Sequence, residues 1–353
     1  MMLSLSIIIP VYKVEHYICR CLDSLMSQQI PQVEVECILV DDASPDGSMD
    51  LARDMIANYV GLIRFRILSF EENRGLSMAR NRGVLEANGD YVLFMDSDDH
   101  LFPDSLSYFV SQLQEYPEAD VVIGNGINTK DGSKMLHHLH EPLLINNPND
   151  SLQRLLRRQI YLQAWNKLIR RSLLIEKNIF FVNGILYEDE SWSFKLFSNV
   201  NSVLLLPQLT YSYEYISTSI VNTTYTIEKS SVVVHSFSMS ANYIMDNPPS
   251  FCQYYHNLTV DYLLFVSNII MRGMDVISKC TTTSEAISEL QLSRGRLMSL
   301  ALRNGRLLVA CFLLLLYPPF TSFLRMSLFR KHYFDIEATV NRLAHFTDFL
   351  HRK

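Results

Sequence analysis

The sequence predicts an α/β protein built on a mostly parallel, doubly wound sheet, and three observations predict it. Within about 110 residues, four apolar, β-branched runs alternate with helical or polar stretches. That spacing calls for right-handed crossovers between parallel strands. The polar loops all leave the C-terminal ends of the proposed strands, where ligands of such sheets bind.

Ser4 to Val11 is a continuous apolar run containing Pro10, the pattern of a strand buried on both faces. Glu15 to Gln28 places Tyr17, Ile18, Cys21, Leu22, Leu25 and Met26 on one helical stripe. Cys37 to Val40 is the second strand, followed by a loop of turn residues, Asp41 to Gly47. Ser48 is placed to cap a helix reaching Tyr59. Residues 64–69 read as the third strand, Leu76 to Ala87 as a helix, and Tyr91 to Met95 as the fourth strand. Thereafter the rhythm loosens: Asp120 to Asn125 reads as a strand, 128–148 as a polar loop and 151–178 as largely helical. Helical periodicity returns from Ile227, over 228–246, 251–279, 282–304 and 335–351. These shifts divide the chain into a sheet domain, 1–225, and a helical C-terminal region, 226–353.

Composition agrees with about two folded units in 353 residues. With 48% apolar, 19% charged and 11% aromatic residues, the chain buries a core, and disordered or collagen-like readings are excluded. The net charge of −6 argues against nucleic acid as a partner, but Arg294 to Lys353 carries +7, leaving −13 on residues 1–293. Six cysteines without a Cys-x-x-Cys pair suit a reducing compartment, and the N-terminus lacks the basic region of a signal peptide. The run Leu307 to Tyr317 ends at Pro318-Pro319, too short to span a bilayer. Flanked by arginines, residues 294–331 suit a membrane surface, so the expected location is cytoplasmic and peripheral on the inner face of the membrane.

Three acidic clusters carry the chemistry. Asp96-Ser97-Asp98-Asp99 directly follows the fourth strand, and its mutual repulsion is relieved either by a bound divalent cation or by solvation as a helix-capping turn. A hard ion such as Mg²⁺ or Mn²⁺ takes one or two carboxylates plus phosphate oxygens, which points to a nucleoside diphosphate. Asp41-Asp42 lies on the same edge, as an acceptor for a base or ribose or as an Asx turn. Glu188-Asp189-Glu190, flanked by Tyr187 and Trp192, offers either a general base or the acidic first turn of a helix. His137-His138 and His140 read as a solvated loop, and Cys19 and Cys21 as packing residues. Arg294-Gly295-Arg296 and Arg303 to Arg306, interleaved with leucines, suit lipid phosphates better than RNA, or else a helix packed on the sheet domain.

Seven pieces in order resemble the inverting family 2 glycosyltransferases, which have the GT-A fold. They are Ser6 to Tyr12, Val40 to Ser48, Asn73 to Asn81, Gly89 to Asp99, Trp165 to Leu168, Glu188-Asp189, and Tyr213 to Tyr215 with Ser219-Ile220, over about residues 4–221. The resemblance implies transfer of a sugar from a nucleotide-diphosphate donor, a uridine nucleotide, to a hydroxyl acceptor with inversion, as in polysaccharide or surface-glycan synthesis. It implies that Pro10, Tyr12 and Asp42 line the base and ribose pocket, with Arg80 near the nucleotide. Asp96 and Ser97 then lie on the ribose side, and Asp98, with Asp96, holds Mg²⁺ or Mn²⁺. Asp189 matches the family's base, with Glu188 beside it, and Trp165 and Lys167 fall on the acceptor side. A glycan or lipid-linked glycan is the expected acceptor. Physical argument asks for the same set: a nucleoside-diphosphate leaving group needs charge neutralisation, and a hydroxyl nucleophile needs a base. A binding module without activity would have no use for Asp189. A nucleotidyltransferase would want a Gly-rich phosphate loop where Pro10-Val11-Tyr12-Lys13 stands.

Overall fold

Continuous apolar sequence places β1 (Ser4–Val11) inside the sheet, its last seven residues all buried. It pairs in parallel with β2 (Glu34–Asp41) on one side and β4 (Tyr91–Phe94) on the other, and β3 (Arg64–Ser69) extends the parallel sheet beyond β2. Strands covered on both faces need no alternation, which is why their sequences read as unbroken apolar runs. The crossovers are α1 (Ile18–Met26), α2 (Ser48–Ala57) and α3 (Leu76–Glu86). The buried stripe of α1 is Ile18, Cys21, Leu22 and Leu25, as the periodicity predicts. Helix α3 lies so close to β1 that a Cβ on Gly83 would come within 2.4 Å of Ile8 Cγ2.

The structure, a computed structural model, describes residues 3–30, 33–136, 139–216, 226–249 and 260–303. Beyond β4 the strands change direction. β8 (Lys167–Arg170) runs antiparallel between β4 and β6 (Val121–Asn128), and β9 (Val203–Tyr213) is parallel to β6. β5 (His100–Leu101) and β7 (Leu143–Ile145) pair antiparallel with β9. Among the described residues the sheet order is β3-β2-β1-β4-β8-β6-β9-β5, with β7 also on β9. Helix α4 (Ser105–Glu115) precedes β6.

Two expectations are corrected here. Residues 151–178 are not one helical stretch: α5 (Pro148–Leu156) and α6 (Arg171–Glu176) flank strand β8, whose four residues are too few to display a period. The polar loop 128–148 contains the three-residue β7. Helix α7 spans Asp189–Phe197.

The chain divides into two compact units, one of Met1–Gly184 with Trp192–Thr223, the other of Ile185–Ser191 with Thr224–Lys353. The second contains α8 (Ile227–Asp246), α9 (Val260–Lys279) and α10 (Ser284–Arg303). These helices bury Val233, Phe237, Ile244, Leu263, Val266 and Leu290. Polar ties join them, including Ser238 Oγ to Ser293 Oγ at 2.8 Å and Tyr262 Oη donating to the Ile244 carbonyl at 2.7 Å. Among the described residues no helix is long and apolar enough to cross a membrane. The boundary at 225, His137-His138, Ser219-Ile220, the apolar run Leu307 to Tyr317 and the helix expected over 335–351 lie outside the described residues.

The loop from β2 to α2 is knitted to the turn after β1 by side chains. Ser44 Oγ accepts the Lys13 N–H, Ser48 Oγ accepts the Val14 N–H, and Asp46 accepts the Glu15 N–H and both serine hydroxyls. Ser48 therefore does not cap α2; its hydroxyl is spent between the two loops, and Gly47 holds the N-cap position. Ala43 takes a left-handed backbone, φ +54°. Burial alone would raise the Asp46 carboxyl, but the Ser44 and Ser48 hydroxyls and the Glu15 and Ser48 N–H groups bring it down to about 2 from 3.8. A carboxyl lowered by folding stabilises the native state above its ordinary value and loses that contribution as pH falls towards the folded value. In urea titrations the native chain should therefore exceed Asp46→Asn at neutral pH, and the gap should close between about pH 4 and pH 2. A gap that persists at pH 2 would show that the charge contributes nothing.

Candidate active site

The parallel order β2-β1-β4 brings the ends of three adjacent strands to one edge, and with them Asp41-Asp42, Pro10 to Tyr12, and Asp96 to Asp99. In the turn after β4, Asp96, Asp98 and Asp99 each offer a carboxylate oxygen, all within 4.8 Å of one another. Three like charges at that separation repel strongly, and the fold disposes of them differently.

Asp96 is neutralised. The buried guanidinium of Arg80, 1% exposed, donates from Nη2 to Asp96 Oδ1 at 2.8 Å. Arg80 also lies 5.2 Å from the Phe181 ring centroid, and Phe181 stacks on Trp192 at 4.5 Å with Phe94 edge-on to both. Asp99 is enclosed: Tyr211 Oη donates to its Oδ2 and the Glu214 N–H to its Oδ1, both at 2.8 Å. The same Tyr211 oxygen accepts the Asp96 N–H at 3.0 Å, so one phenol ties both ends of the turn. Burial, then the charges of Asp98 and Asp96, push the Asp99 carboxyl well above the usual range.

Asp98 is left to face the site. Among the described residues no other side chain or backbone N–H donates to its carboxylate, and burial followed by the charge of Asp96 raises it to about 6. Arg20 of α1 bonds only its carbonyl, at 3.2 Å, while reaching Glu214 at 3.3 Å. Two or three hard carboxylate oxygens within 4.8 Å of one another, that of Asp98 meeting only its own backbone N–H among the described residues, form a donor set that fits Mg²⁺ or Mn²⁺. Ser97 is buried in the middle of the turn.

Asp42 is 3% exposed and fully engaged by the loop entering α3: it accepts the Arg74 N–H at 2.6 Å, the Gly75 N–H at 2.9 Å and Asn73 Nδ2 at 2.9 Å. Gly75 stands at φ +85°, a left-handed conformation that glycine adopts without a Cβ clash. Both oxygens of Asp42 thus organise the 73–75 loop. Pro10 is buried at the end of β1, whereas Tyr12 is 39% exposed.

Trp165 and Lys167, expected on the acceptor side, are interior residues of the sheet unit. Trp165, 2% exposed, lies in an aromatic stack with Tyr161, Tyr211 and Tyr213 at 5.1, 4.6 and 5.7 Å. Lys167 is wholly buried, with its Nζ donating to the Gln163 carbonyl and lying 3.8 Å from the Tyr161 ring centroid. Trp165 supports the β9 tyrosines Tyr211 and Tyr213 from behind. Glu188 is buried and Asp189 half-buried at the start of α7, where two acids meet the positive end of the helix dipole; both belong to the second unit. Sequence reasoning missed Tyr211 and Arg20. Only the period-two relation of Tyr211 to Tyr213 in β9 signalled the former.

Residues 6–177 match the family described as Glycosyl transferase family 2. The glycosyltransferase GlyG of Streptococcus pneumoniae is 27% identical over 245 residues, 66% of this chain and 78% of that protein. A poly(ribitol-phosphate) β-glucosyltransferase of Bacillus spizizenii is 41% identical over 61 residues, and the chain spans only 10% of its length. Among solved structures, residues 1–349 of Staphylococcus aureus TarS in complex with UDP-GlcNAc superpose with a TM-score of 0.56 at 19% identity, covering 87% of this chain and 90% of that one. The fold is α/β of the GT-A kind.

The double role of the Tyr211 hydroxyl makes Tyr211→Phe informative. A hydrogen bond to a charged partner contributes about 1.5–3 kcal/mol, so Tyr211→Phe should lower stability by about 2 kcal/mol in chemical denaturation. It should also weaken Mn²⁺ binding through the loosened turn, measured by calorimetry. Unchanged metal affinity would separate the phenol from the site.

Proposed function

We propose that this chain, whose residues 6–177 are a family 2 glycosyltransferase domain, transfers a sugar with inversion from a uridine-diphosphate sugar to a hydroxyl of a surface polysaccharide or lipid-linked glycan. The observation that carries the reading is the division of labour among the acids after β4: Asp96 is paired, Asp99 is enclosed, and among the described residues the Asp98 carboxylate meets only its own backbone N–H. A structural turn would have no reason to leave one half-buried carboxylate so placed.

Asp98, with Asp96, holds the divalent cation in this reading. When bound, the cation neutralises the two phosphates and stabilises the charge that develops on the departing nucleoside diphosphate. Arg80 pairs with Asp96 and fixes the direction of its carboxylate. Pro10 and Tyr12 offer the base an apolar and aromatic surface at the end of β1. Asp42 lines the base and ribose pocket and, through its bonds to the 73–75 loop, shapes the wall of the nucleotide site.

Asp189 takes the proton from the acceptor hydroxyl as the oxygen attacks the anomeric carbon from the face opposite the leaving group, which produces inversion. Glu188, buried beside it, has a supporting role. The family resemblance of this segment and the requirement of a poor hydroxyl nucleophile for a base support the assignment. The +7 tail, mostly outside the described residues, suits a membrane surface and with it a lipid-linked acceptor.

Thermal-shift titration with a panel of nucleotide sugars should give stabilisation by a UDP-sugar that depends on Mn²⁺, and Asp98→Ala should abolish that dependence. Equal stabilisation of Asp98→Ala would remove the metal from Asp98. Asp189→Asn should bind donor with native affinity but lose transfer by about 10²–10⁴-fold; full turnover by this variant sinks the base assignment.

A further inference from the structure

The segment bearing the proposed base belongs to the helical unit, where one arginine holds both of its flanks. Residues Ile185–Ser191 group with the C-terminal helices, not with the sheet. Resting on the assignment of Asp189 as general base, we propose that Arg272 of α9 is the positioning residue for that base.

Three ties fix the segment. The Leu186 N–H donates to Ser236 Oγ of α8 at 2.9 Å. The Tyr187 ring stacks on Phe237 of α8, with centroids 5.0 Å apart and planes at 20°. Arg272 Nη1 donates to Glu190 Oε1, and its guanidinium carbon lies 4.9 Å from the Tyr187 ring and 4.8 Å from the Phe237 ring. Arg272 therefore touches the residue two before Asp189 and the residue directly after it.

The backbone makes this grip necessary. Tyr187 adopts φ +58°, a left-handed conformation that a bulky aromatic residue holds only when its surroundings over-determine it. The turn at Tyr187 sets the direction in which Glu188 and Asp189 leave the chain. Release of the ring lets the turn relax and the carboxylates swing with it.

Stability by itself does not account for the pair. Glu190 is 2% exposed while the Arg272 side chain is 40% exposed, so solvent screens the arginine side of the pair and its charge attraction contributes little. A planar guanidinium, in contrast, can stack against two rings and donate in its own plane at once, which specifies orientation. Within the cluster, Glu190 is held by Arg272.

The test uses the full chain with Arg272→Met, Arg272→Lys and the double variant Glu190→Gln/Arg272→Met, which removes the buried charge together with its partner. UDP affinity with Mn²⁺ is measured by calorimetry. Turnover is measured as UDP release from a mixture of UDP-glucose, UDP-galactose and UDP-N-acetylglucosamine with water as acceptor. We expect Arg272→Met and the double variant to keep UDP affinity within about twofold and lose kcat by about 10–100-fold, the scale of a small misplacement of a reacting group. Arg272→Lys should recover part of the loss, because it keeps the charge but not the planar fork. Native kcat in the double variant at unchanged Tm overturns the proposal, as does a parallel loss of UDP affinity and kcat. If Asp189→Asn is inactive while the Arg272 variants turn over normally, the positioning role alone falls. If Asp189→Asn turns over normally, the base assignment falls with it.

Discussion

The ion pair of buried Arg80 with half-buried Asp96 is the interaction on which the sheet unit's site depends. A guanidinium removed from water must be paired, and breaking such a pair by removing one partner costs about 3–5 kcal/mol. Arg80 sits in α3, and α3 is seated on the sheet by the missing side chain at Gly83 and bound at its entry by Asp42. One helix thus links the acidic loops after β2 and β4. Its seat sets where the Asp96 charge is cancelled and, by subtraction, which carboxylate remains for a ligand.

A second layer supports the same turn from behind. Tyr211 reaches Asp96 and Asp99 from β9, and the stack of Tyr161, Trp165 and Tyr213 holds its ring. Strand β8 delivers this stack, because its antiparallel insertion between β4 and β6 brings Trp165 alongside Phe94. The antiparallel part of the sheet therefore works as a scaffold for the turn at the end of its parallel part. Offset aromatic pairs contribute about 0.5–1.5 kcal/mol each beyond the area they bury, enough to hold a phenol in register.

Legibility followed element length and burial. β1, β2 and β4 were readable because strands covered on both faces are written as continuous apolar runs, and the polar loops between them marked one edge. β5, β7 and β8, of two to four residues, have no period to read. In the site, Asp96 to Asp99 and Glu188 to Glu190 stood out as clusters of like charge, but the division of labour within each did not. Trp165 and Lys167 were placed toward the acceptor by the family resemblance alone, and nothing in their residue types signalled that a carbonyl and an aromatic ring satisfy the ammonium in the interior. Ser48 had the residue type of a cap, yet its hydroxyl serves a neighbouring loop.

The sequence by itself determined the parallel half of the sheet, the edge where polar loops gather and the residue types that chemistry needs there. Those properties are local: they follow from periodicity, turn residues and charge spacing within a few positions. Only the tertiary structure decided that Arg80 cancels Asp96, that Tyr211 and the Glu214 amide enclose Asp99, and that Arg272 takes Glu190. Each of those partners is separated from its acid by between 16 and 115 positions. Which of several equal carboxylates is neutralised depends on what the fold packs against it, and that cannot be read from the carboxylates themselves.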